Sequence, residues 1–391
     1  MKKVAVINRT NLKNYGSVLQ CYALCKAVSD LGYESEIVWE KGNVSKNFDF
    51  RPMKILSSLF KLLTHPKLLS STMTNVNDMN SRKISEGTVA LFDQFVRDEI
   101  AQKIFPHRKL VKTAKGEEYT KFICGSDQIW CSTTLYVDPL MYLRFAPKNK
   151  RIAYAPSIGR DFIPSYNKRR MKKYISDIPC LSVREKEGQR LIKELTGLEA
   201  EIVLDPTLLR KKSDWDALKV EPNRENKYVL CYFLDIPSKE TQEQILRFVK
   251  EKDVEIIALG NGLPICEEGG VKVTYPDCGP KEFIGYVEKA AYTITDSYHG
   301  MLFSILYKKQ FWSVERAYQQ YDQSSRQKTV LDTFGLNGRY LAQGAEIPLE
   351  GEDIEYVKID EILARERARS MDFLKQSIEN ISMEGEKKDG K

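Results

Sequence analysis

The chain has 391 residues, of which 42% are hydrophobic and 10% aromatic, and its formal net charge is +7. This length exceeds what one hydrophobic core usually supports, so we expect two globular domains. No run of 18 or more apolar residues occurs, which argues against a membrane-spanning helix. Lysines and arginines are dispersed and are balanced by 54 acidic residues, which argues against nucleic-acid binding.

The start of the chain has only four apolar residues before Asn8, fewer than the apolar region of a signal peptide requires. We therefore expect a cytoplasmic protein that begins with a β-strand. The eight cysteines form no C-x-x-C pair, so buried, reduced thiols are expected rather than disulfides or a zinc site. No group of residues has metal-ligand spacing, so we expect neither a metal nor a cofactor.

The first strand, Val4 to Asn8, is followed by helical spacing from Val18 to Leu31 and by a second strand, Glu36 to Trp39. Asn14 and Gly16 lie in the first strand-to-helix loop, where doubly wound sheets commonly form a ligand cleft. No G-x-G-x-x-G sequence accompanies them, so a dinucleotide site is not predicted. A plain turn without a ligand is the alternative for this loop.

An amphipathic stretch, Met53 to Leu63, combines lysines with a large apolar face. We expect this face to pack on its own domain, because the apolar faces of such helices usually meet protein. Peripheral contact with the inner face of a membrane is the alternative, since basic amphipathic helices also lie in lipid interfaces. A second helix is predicted from Ser85 to about Gln102.

Three polar residues follow the predicted strand Tyr119 to Cys124 and its closing Gly125. Ser126, Asp127 and Gln128 supply short polar groups without a positive charge, which suit hydroxyl recognition better than phosphate binding. They are therefore candidates for contact with a substrate hydroxyl. A capped turn without a ligand is the alternative.

Arg184 comes directly after the predicted strand Cys180 to Val183 and before a helix from Glu187 to Leu195. An arginine at a strand end can hold a carboxylate or phosphate with two parallel hydrogen bonds, which a lysine cannot. The alternative is a structural ion pair with Glu185 or Asp205.

The second half of the chain repeats the alternation of predicted strands and helices seen in the first half. A charged segment from Leu208 to Lys227 predicts the hinge, and the apolar run Tyr228 to Leu234 then predicts a buried parallel strand. Helical and strand patterns follow over Thr241 to Lys250, Glu255 to Leu259 and Lys281 to Lys289. We therefore predict a second α/β domain, wound like the first.

A strand ending at Thr295 meets the polar turn Asp296 to Gly300, and a strongly apolar helical pattern begins at once. Backbone N–H groups and the helix dipole favour an anion at such a junction. His299 lies there and is one of only three histidines. Its ordinary pKa, near 6.5, lets it accept or donate a proton near neutral pH. The alternative is a capped helix in which His299 is a satisfied, partly buried residue.

The remaining elements complete the predicted organisation. Arg326 precedes a short helix from Val330 to Phe334, a charged amphipathic helix spans Ile359 to Ile381, and a polar tail, Glu384 to Lys391, is expected to be disordered. The predicted units are an N-terminal Rossmann-like domain over 1–210, a C-terminal Rossmann-like domain over 211–345, a C-terminal segment with a helix over 346–383, and the tail over 384–391.

Four separately placed motifs resemble those of the polysaccharide pyruvyl transferase family. They are Gly-Ser-Asp-Gln-Ile-Trp at 125–130, Ser-Val-Arg-Glu at 182–185, Asp-Pro-Thr at 205–207 and Asp-Ser-Tyr-His-Gly at 296–300. The resemblance covers about residues 1–340, with the motifs in the same order. It implies an α/β fold of two Rossmann-like domains facing a cleft, similar to glycosyltransferase-B enzymes, with a C-terminal helix.

The resemblance implies that pyruvate passes from phosphoenolpyruvate to two hydroxyls of one sugar. The product is a cyclic ketal in a surface polysaccharide or its lipid-linked precursor. His299 is the implied acid and base. The residues expected to bind the donor are Arg184, Ser297, Tyr298, Gly300 and Arg326, and those expected to contact the acceptor or line the cleft are Asn14, Gly16, Ser126, Asp127 and Gln128. Solvent exposure is the alternative for Arg326.

One departure from the family pattern concerns charge. In several members the histidine follows an Arg-Leu pair, whereas Ser297 and Tyr298 precede it here. The pocket therefore lacks one cation, and Arg326 and Lys308 are the candidates to replace it. Two other functions stay open: a glycosyltransferase that uses a nucleotide sugar, and a non-catalytic glycan-binding module of a polysaccharide assembly complex.

Overall fold

The structure, a computed structural model, describes residues 2–8, 13–41, 52–66, 68, 84–317, 322–351 and 353–379. Two parallel β-sheets with helices packed against them form its frame. The first sheet has seven strands in the order β3-β2-β1-β4-β5-β6-β7. Its strands are β1 Lys3–Ile7, β2 Glu34–Glu40, β3 Gln102–Phe105, β4 Tyr119–Gly125, β5 Arg151–Tyr154, β6 Cys180–Val183 and β7 Glu201–Ile202.

The second sheet has six strands in the order β10-β9-β8-β11-β12-β13. Its strands are β8 Tyr228–Phe233, β9 Glu255–Gly260, β10 Val273–Thr274, β11 Tyr292–Thr295, β12 Gln310–Val314 and β13 Tyr340–Leu341. The order reverses between β1 and β4 in one sheet and between β8 and β11 in the other. Doubly wound sheets bind ligands beyond the carboxyl ends of their strands at such reversals.

Fourteen α-helices are assigned in the described part of the chain. They are α1 Tyr15–Asp30, α2 Pro52–Thr64, α3 Glu86–Glu99, α4 His107–Lys115, α5 Ser165–Ile175, α6 Lys186–Thr196, α7 Pro206–Leu209, α8 Lys212–Asp216, α9 Lys239–Lys252, α10 Pro264–Glu268, α11 Pro280–Lys289, α12 Tyr298–Leu306, α13 Ser325–Phe334 and α14 Tyr356–Glu379. None of them is both long and apolar enough to cross a bilayer.

The two domains face each other with their carboxyl strand ends towards a shared cleft. Tyr15, at the start of α1, stacks on Phe283 of α11 with ring centroids 4.7 Å apart and donates a hydrogen bond to the carbonyl oxygen of Cys278. The prediction of two Rossmann-like domains with a C-terminal helix is therefore confirmed. The exact domain boundaries stay a prediction.

The last helix, α14, contacts both domains. Near its start, Tyr356 donates a hydrogen bond to the carbonyl oxygen of Lys309 in the second domain. Further along, Arg367 donates to the carbonyl oxygen of Leu208 at 2.8 Å, and Ser370 accepts from the backbone N–H of Leu204 at 2.9 Å. The predicted end of this helix at Ile381 and the predicted tail lie outside the described residues.

Two local predictions are wrong. The helix expected from Ser85 to Gln102 ends at Glu99, because Ile100 adopts extended backbone and Gln102 begins β3, which pairs with β2. This strand forms through pairing with a distant segment, which the local sequence pattern does not record. The first strand-to-helix loop is also shorter than expected, since α1 begins at Tyr15.

The predicted packing of the amphipathic stretch is also wrong. This stretch forms α2, but its large apolar side chains are exposed, with 68% of Met53 and 80% of Leu63 accessible to solvent. Lys61 is the one buried side chain of the helix, and its Nζ donates a hydrogen bond to Asn167 Oδ1 at 2.5 Å. The helix therefore presents its apolar face outward.

Candidate active site

His299 lies in the first turn of α12, directly beyond the carboxyl end of β11. Ser297 is the N-cap, and its Oγ accepts a hydrogen bond from the backbone N–H of Gly300 at 3.3 Å. The N–H groups of Tyr298 and His299 have no intrahelical partner, as at every helix N-terminus. His299 is only 5% exposed, so this partly positive helix end is buried.

Asp296 does not cap this helix. Its two carboxylate oxygens accept hydrogen bonds from the backbone N–H groups of Leu234 and Asp235, at 2.6 and 3.0 Å. These residues follow β8, so Asp296 joins the two loops at the reversal point of the second sheet. Burial raises the pKa of Asp296 to about 6, although Arg316 and these backbone N–H groups oppose the effect.

The first domain contacts His299 through the start of α1. A Cβ atom built on Gly16 would lie 1.9 Å from His299 Nδ1, so only glycine permits this approach. Asn14 is the N-cap of α1, and its Oδ1 accepts from the backbone N–H of Ser17 at 3.0 Å. Of the two predicted loop residues, Gly16 contacts the histidine, while the side chain of Asn14 caps the helix.

Asp205 lies at the centre of the charged cluster, although sequence reasoning did not assign it to the site. Its Oδ2 accepts from Arg184 at 2.7 Å and from Ser126 at 3.2 Å, and it lies 3.4 Å from His299 Nε2. Burial alone would raise the pKa of Asp205, but His299 and Arg184 lower it well below its ordinary value. The Asp-Pro-Thr motif was the available sequence signal.

Arg184 is fully buried and already has carboxylate partners. Besides Asp205, its guanidinium lies 3.4 Å from Asp127 and 3.8 Å from Glu185. Burial disfavours the charged form, but these three carboxylates raise the pKa of Arg184, so it stays protonated. The contacts of Arg184 with the protein are therefore those of the structural ion pair given as the alternative. Its Nε has no hydrogen-bond partner among the described residues.

Asp127 links the loop after β4 to the same cluster. It adopts left-handed backbone with φ of 65°, and its Oδ2 accepts from the hydroxyl of Ser17 at the start of α1. Its side chain is 23% exposed. Burial would raise the pKa of Asp127, but Arg184 and His299 lower it. Asp127 is thus an ionised group with access to the cleft.

Arg326 reaches the site from the second domain. The alternative of solvent exposure is wrong, because the residue lies on α13 and is 8% exposed. The Tyr298 ring lies 4.5 Å from the Arg184 guanidinium and 5.7 Å from that of Arg326. Burial and the nearby Arg184 lower the pKa of Arg326 to about 10. Lys308 instead pairs with Asp360 on α14.

Arg326 differs from Arg184 in its partners. No carboxylate of the described residues lies within ion-pair distance of Arg326. The Gln128 amide of the first domain contacts Gln323 at 3.2 Å. Turned so that its oxygen faces Arg326, this amide accepts from both terminal guanidinium nitrogens at 2.7 and 2.8 Å. A neutral amide therefore takes the place of a counter-ion.

Some of the buried side-chain polar atoms that lack a hydrogen-bond partner among the described residues lie in this cluster. Four buried atoms have no hydrogen-bond partner in the described structure, namely His299 Nε2, Arg184 Nε, Arg326 Nε and Glu185 Oε2. Buried polar groups in native proteins are normally paired, so a group of unpaired ones needs an explanation. Three of these atoms nevertheless face an opposite charge, since Arg184 Nε lies 3.8 Å from Glu185 Oε2 and His299 Nε2 lies 3.4 Å from Asp205 Oδ2. Arg326 Nε is therefore the atom for which a bound polar ligand would supply a missing partner.

The close approach of Gly16 to His299 across the two domains can be tested by substitution. We expect Gly16→Ala to lower activity more than tenfold, because the added Cβ must displace the imidazole. The control is Gly338→Ala, since a Cβ there meets nothing within 4 Å. Steady-state rates of both purified variants are the measurement. Equal activity of the Gly16 variant and wild type would show that catalysis does not need this approach.

The two Rossmann-like domains and the buried charged site between them form a two-domain α/β protein of glycosyltransferase-B-like architecture. Residues 14–318 match the family described as Polysaccharide pyruvyl transferase. The chain belongs to this family. A search of curated proteins gave no match. Within the described residues no group of three or more His, Cys, Asp or Glu is arranged to hold a metal, and metal independence stays a prediction.

Several solved structures share the overall arrangement at low sequence identity. UDP-GlcNAc 2-epimerase from Neisseria meningitidis, bound to UDP-GlcNAc, is 9% identical, with 97% of this chain and 98% of that chain covered and a TM-score of 0.48. A UDP-glucosyltransferase from Polygonum tinctorium is 11% identical, with coverages of 97% and 99% and a TM-score of 0.47. MurG from Acinetobacter baumannii is 9% identical, with coverages of 97% and 99% and a TM-score of 0.44.

Proposed function

We propose that this protein transfers pyruvate from phosphoenolpyruvate to two hydroxyls of one sugar in a surface polysaccharide or its lipid-linked precursor. The product is a cyclic ketal, and inorganic phosphate is released. Family membership supports the transfer of pyruvate to a polysaccharide. The observation that carries the finer proposal is the buried guanidinium of Arg326 near His299, which has no carboxylate of the described residues within ion-pair distance.

The donor carries a carboxylate and a phosphate, so its site must supply positive charge. Arg326 supplies a buried guanidinium that has no carboxylate partner among the described residues, and the first turn of α12 supplies backbone N–H groups. Arg184 is already balanced by Asp205, so we assign it a smaller share of donor binding. In this proposal Arg326 replaces the cation that the family pattern places just before the histidine.

The chemistry requires a proton at the methylene carbon of the donor while positive charge develops on the neighbouring carbon. One sugar hydroxyl attacks that carbon, and the second hydroxyl then displaces phosphate. His299 donates the first proton and regains one from the first attacking hydroxyl, and the proton of the second hydroxyl leaves with the phosphate. General acid–base catalysis of this kind contributes typically ~10²- to 10⁴-fold in rate. The carboxylate of Asp205 lies 3.4 Å from His299 Nε2 and can orient the ring for this transfer.

The acceptor sugar would bind on the first-domain side of the cleft. Asp127 is ionised and partly exposed there, and carboxylates accept hydrogen bonds from sugar hydroxyls. Gln128 lies beside it and reaches towards the second domain. Ser126 is fully buried and donates to Asp205, so we assign it a role in holding the cluster rather than in touching sugar.

The test is a phosphate-release assay with phosphoenolpyruvate and a panel of galactose-, mannose- and glucose-type acceptors. We expect release that depends on both substrates and a product heavier by one pyruvate ketal. Consumption of a nucleotide sugar without a response to phosphoenolpyruvate would instead identify a glycosyltransferase. Equilibrium binding of glycan with no turnover of either donor would identify a non-catalytic module.

Arg326 should affect donor affinity without supporting the fold. We expect Arg326→Gln to raise the KM for phosphoenolpyruvate more than tenfold while the melting temperature stays the same or rises. The reason is that the change removes a buried charge repelled by Arg184. Lys308→Gln, at an exposed ion pair, is the control and should alter neither quantity. A large drop in melting temperature with an unchanged KM would assign Arg326 a structural role.

A further inference from the structure

Helix α2 has the opposite orientation to an ordinary surface helix. Its large apolar residues lie on one half of the helix circumference, and most of them are exposed. The exposed residues are Met53, Ile55, Leu56, Leu59, Phe60 and Leu63. Surface helices of globular proteins normally turn such a face to the core. An exposed apolar patch of this kind marks an interaction site.

The polar side of α2 holds the helix against the first domain. Lys61 donates to Asn167 of α5 and lies 5.3 Å from the centre of the Tyr166 ring. His65, just after the helix, contacts the same ring with centroids 5.1 Å apart. Burial and the nearby Arg170 lower the pKa of Lys61 to about 8. These contacts fix the direction in which the apolar half points.

Helix α5, against which α2 is held, is strongly basic. Its eleven residues include five Lys or Arg and no acidic residue. All five are exposed and lie at positions 168, 169, 170, 172 and 173. None of them forms an ion pair with another residue of the described chain. An exposed apolar helix therefore lies directly beside five positive charges that form no ion pair within the described part of the chain.

We propose that α2 and α5 together form a surface that binds an anionic lipid bilayer. The apolar half of α2 lies at the boundary between headgroups and acyl chains, and the cations of α5 contact lipid phosphates. A protein partner fits this surface less well, because lysine is depleted in protein–protein interfaces. The thirteen residues of α2 span roughly 20 Å and lie parallel to such a surface.

Asn167 also connects this surface to the cleft side of the first domain. Its side-chain amide donates to the carbonyl oxygens of Ser132 and Thr134, at 2.6 and 2.9 Å. These two residues belong to the segment that leaves β4 and carries Asp127 and Gln128. The lipid-binding surface is thus built on the same edge of the first sheet as the candidate active site.

The experiment is co-sedimentation of the full chain with phosphatidylcholine vesicles that contain or lack about a third phosphatidylglycerol. We expect binding to the anionic vesicles at 0.1 M salt, at least tenfold weaker binding at 0.5 M salt, and little binding to neutral vesicles, because ionic attraction is screened. Absence of binding to anionic vesicles, or equal binding to both kinds, would overturn the proposal.

Two variants separate the contributions of the helices. Replacing Leu56, Phe60 and Leu63 with serine removes the apolar contact, and replacing Arg169, Lys172 and Lys173 with glutamine removes three charges. Each variant should bind anionic vesicles at least tenfold more weakly and keep the wild-type melting temperature, since these side chains are exposed. Wild-type binding by either variant would contradict the proposal.

Matched controls exclude general effects of charge and hydrophobicity. Glutamine in place of the exposed Arg108, Lys112 and Lys115 of α4 removes the same charge elsewhere. Val357→Ser removes an apolar side chain that is 75% exposed on α14. Both should bind like wild type. Light scattering of the lipid-free protein gives the remaining outcome, since a dimer that the serine variant abolishes would assign the surface to self-association instead.

Discussion

We expect His299→Gln to lower the rate of phosphate release by ~100-fold or more while the protein stays folded. Glutamine keeps hydrogen-bonding capacity but cannot exchange a proton near neutral pH, so general acid–base catalysis is lost. The measurement is phosphate release at saturating phosphoenolpyruvate and acceptor, with circular dichroism to verify the fold. The remaining activity should no longer depend on pH through the ionisation of an imidazole.

The chain offers a matched control for this substitution. His107 is an exposed histidine near Glu40 on the far edge of the first sheet, and His107→Gln should leave the rate unchanged. If the folded His299 variant keeps more than about a tenth of wild-type activity, the loss is under the ~1.4 kcal/mol of a tenfold rate change. His299 would then not be the proton donor, and its place beside Gly16 would be structural.

Asp205→Asn is expected to produce the largest loss of stability. Arg184 and Asp205 form an ion pair in which both side chains are fully buried. Removing the charge of one partner leaves the other charge buried without this counter-ion. Such changes lower the free energy of unfolding by about 3 kcal/mol. Asparagine still accepts the hydrogen bond from the backbone N–H of Thr207, so the start of α7 is preserved. Urea denaturation followed by circular dichroism measures the free energy of unfolding.

The pH dependence of this loss has a defined sign. Because His299 and Arg184 hold the pKa of Asp205 below its ordinary value, its contribution is present above the unfolded pKa near 3.9. It is lost as the pH falls further. The difference between variant and wild type should therefore shrink as the pH falls below about 4.

Asp177→Asn is the control for a less buried ion pair. Asp177 pairs with Arg144, Lys148 and Arg151, and its side chain is 17% exposed against 0% for Asp205. Because solvent partly screens this group, we expect a smaller loss than for Asp205→Asn. A comparably small loss for Asp205→Asn would show that Asp127 and Glu185 balance Arg184 without Asp205. The central place of Asp205 in the cluster would then have to be given up.

Most of the fold could be predicted from the sequence because its strands and helices follow from local patterns of apolar residues. Apolar runs such as Tyr228 to Leu234 alternate with helical periods, and this alternation predicts parallel sheets covered by helices. Strand β3 was missed because it forms at the sheet edge through pairing with β2. The exposed face of α2 was missed because periodicity shows that a helix is amphipathic but not which way it faces.

Individual residues of the site could be predicted from the sequence, but their arrangement in space could not. His299 and Arg184 could be singled out, since each follows a strand in a motif with the appropriate chemistry. Nothing local indicated that Gly16 would meet His299 across the cleft. Likewise, Asp205 ends one domain in the sequence, and only the packing of both domains brings it beside His299.

Helix α14 restricts how the cleft can admit substrates. With 24 residues it is roughly 36 Å long, and it is attached near its start to Lys309 of the second domain and further along to Leu204 and Leu208 of the first. A helix hydrogen-bonded to both domains opposes their sliding apart. We therefore expect the cleft to open by rotation about α14, a movement that would bring His299 back against Gly16 on closure.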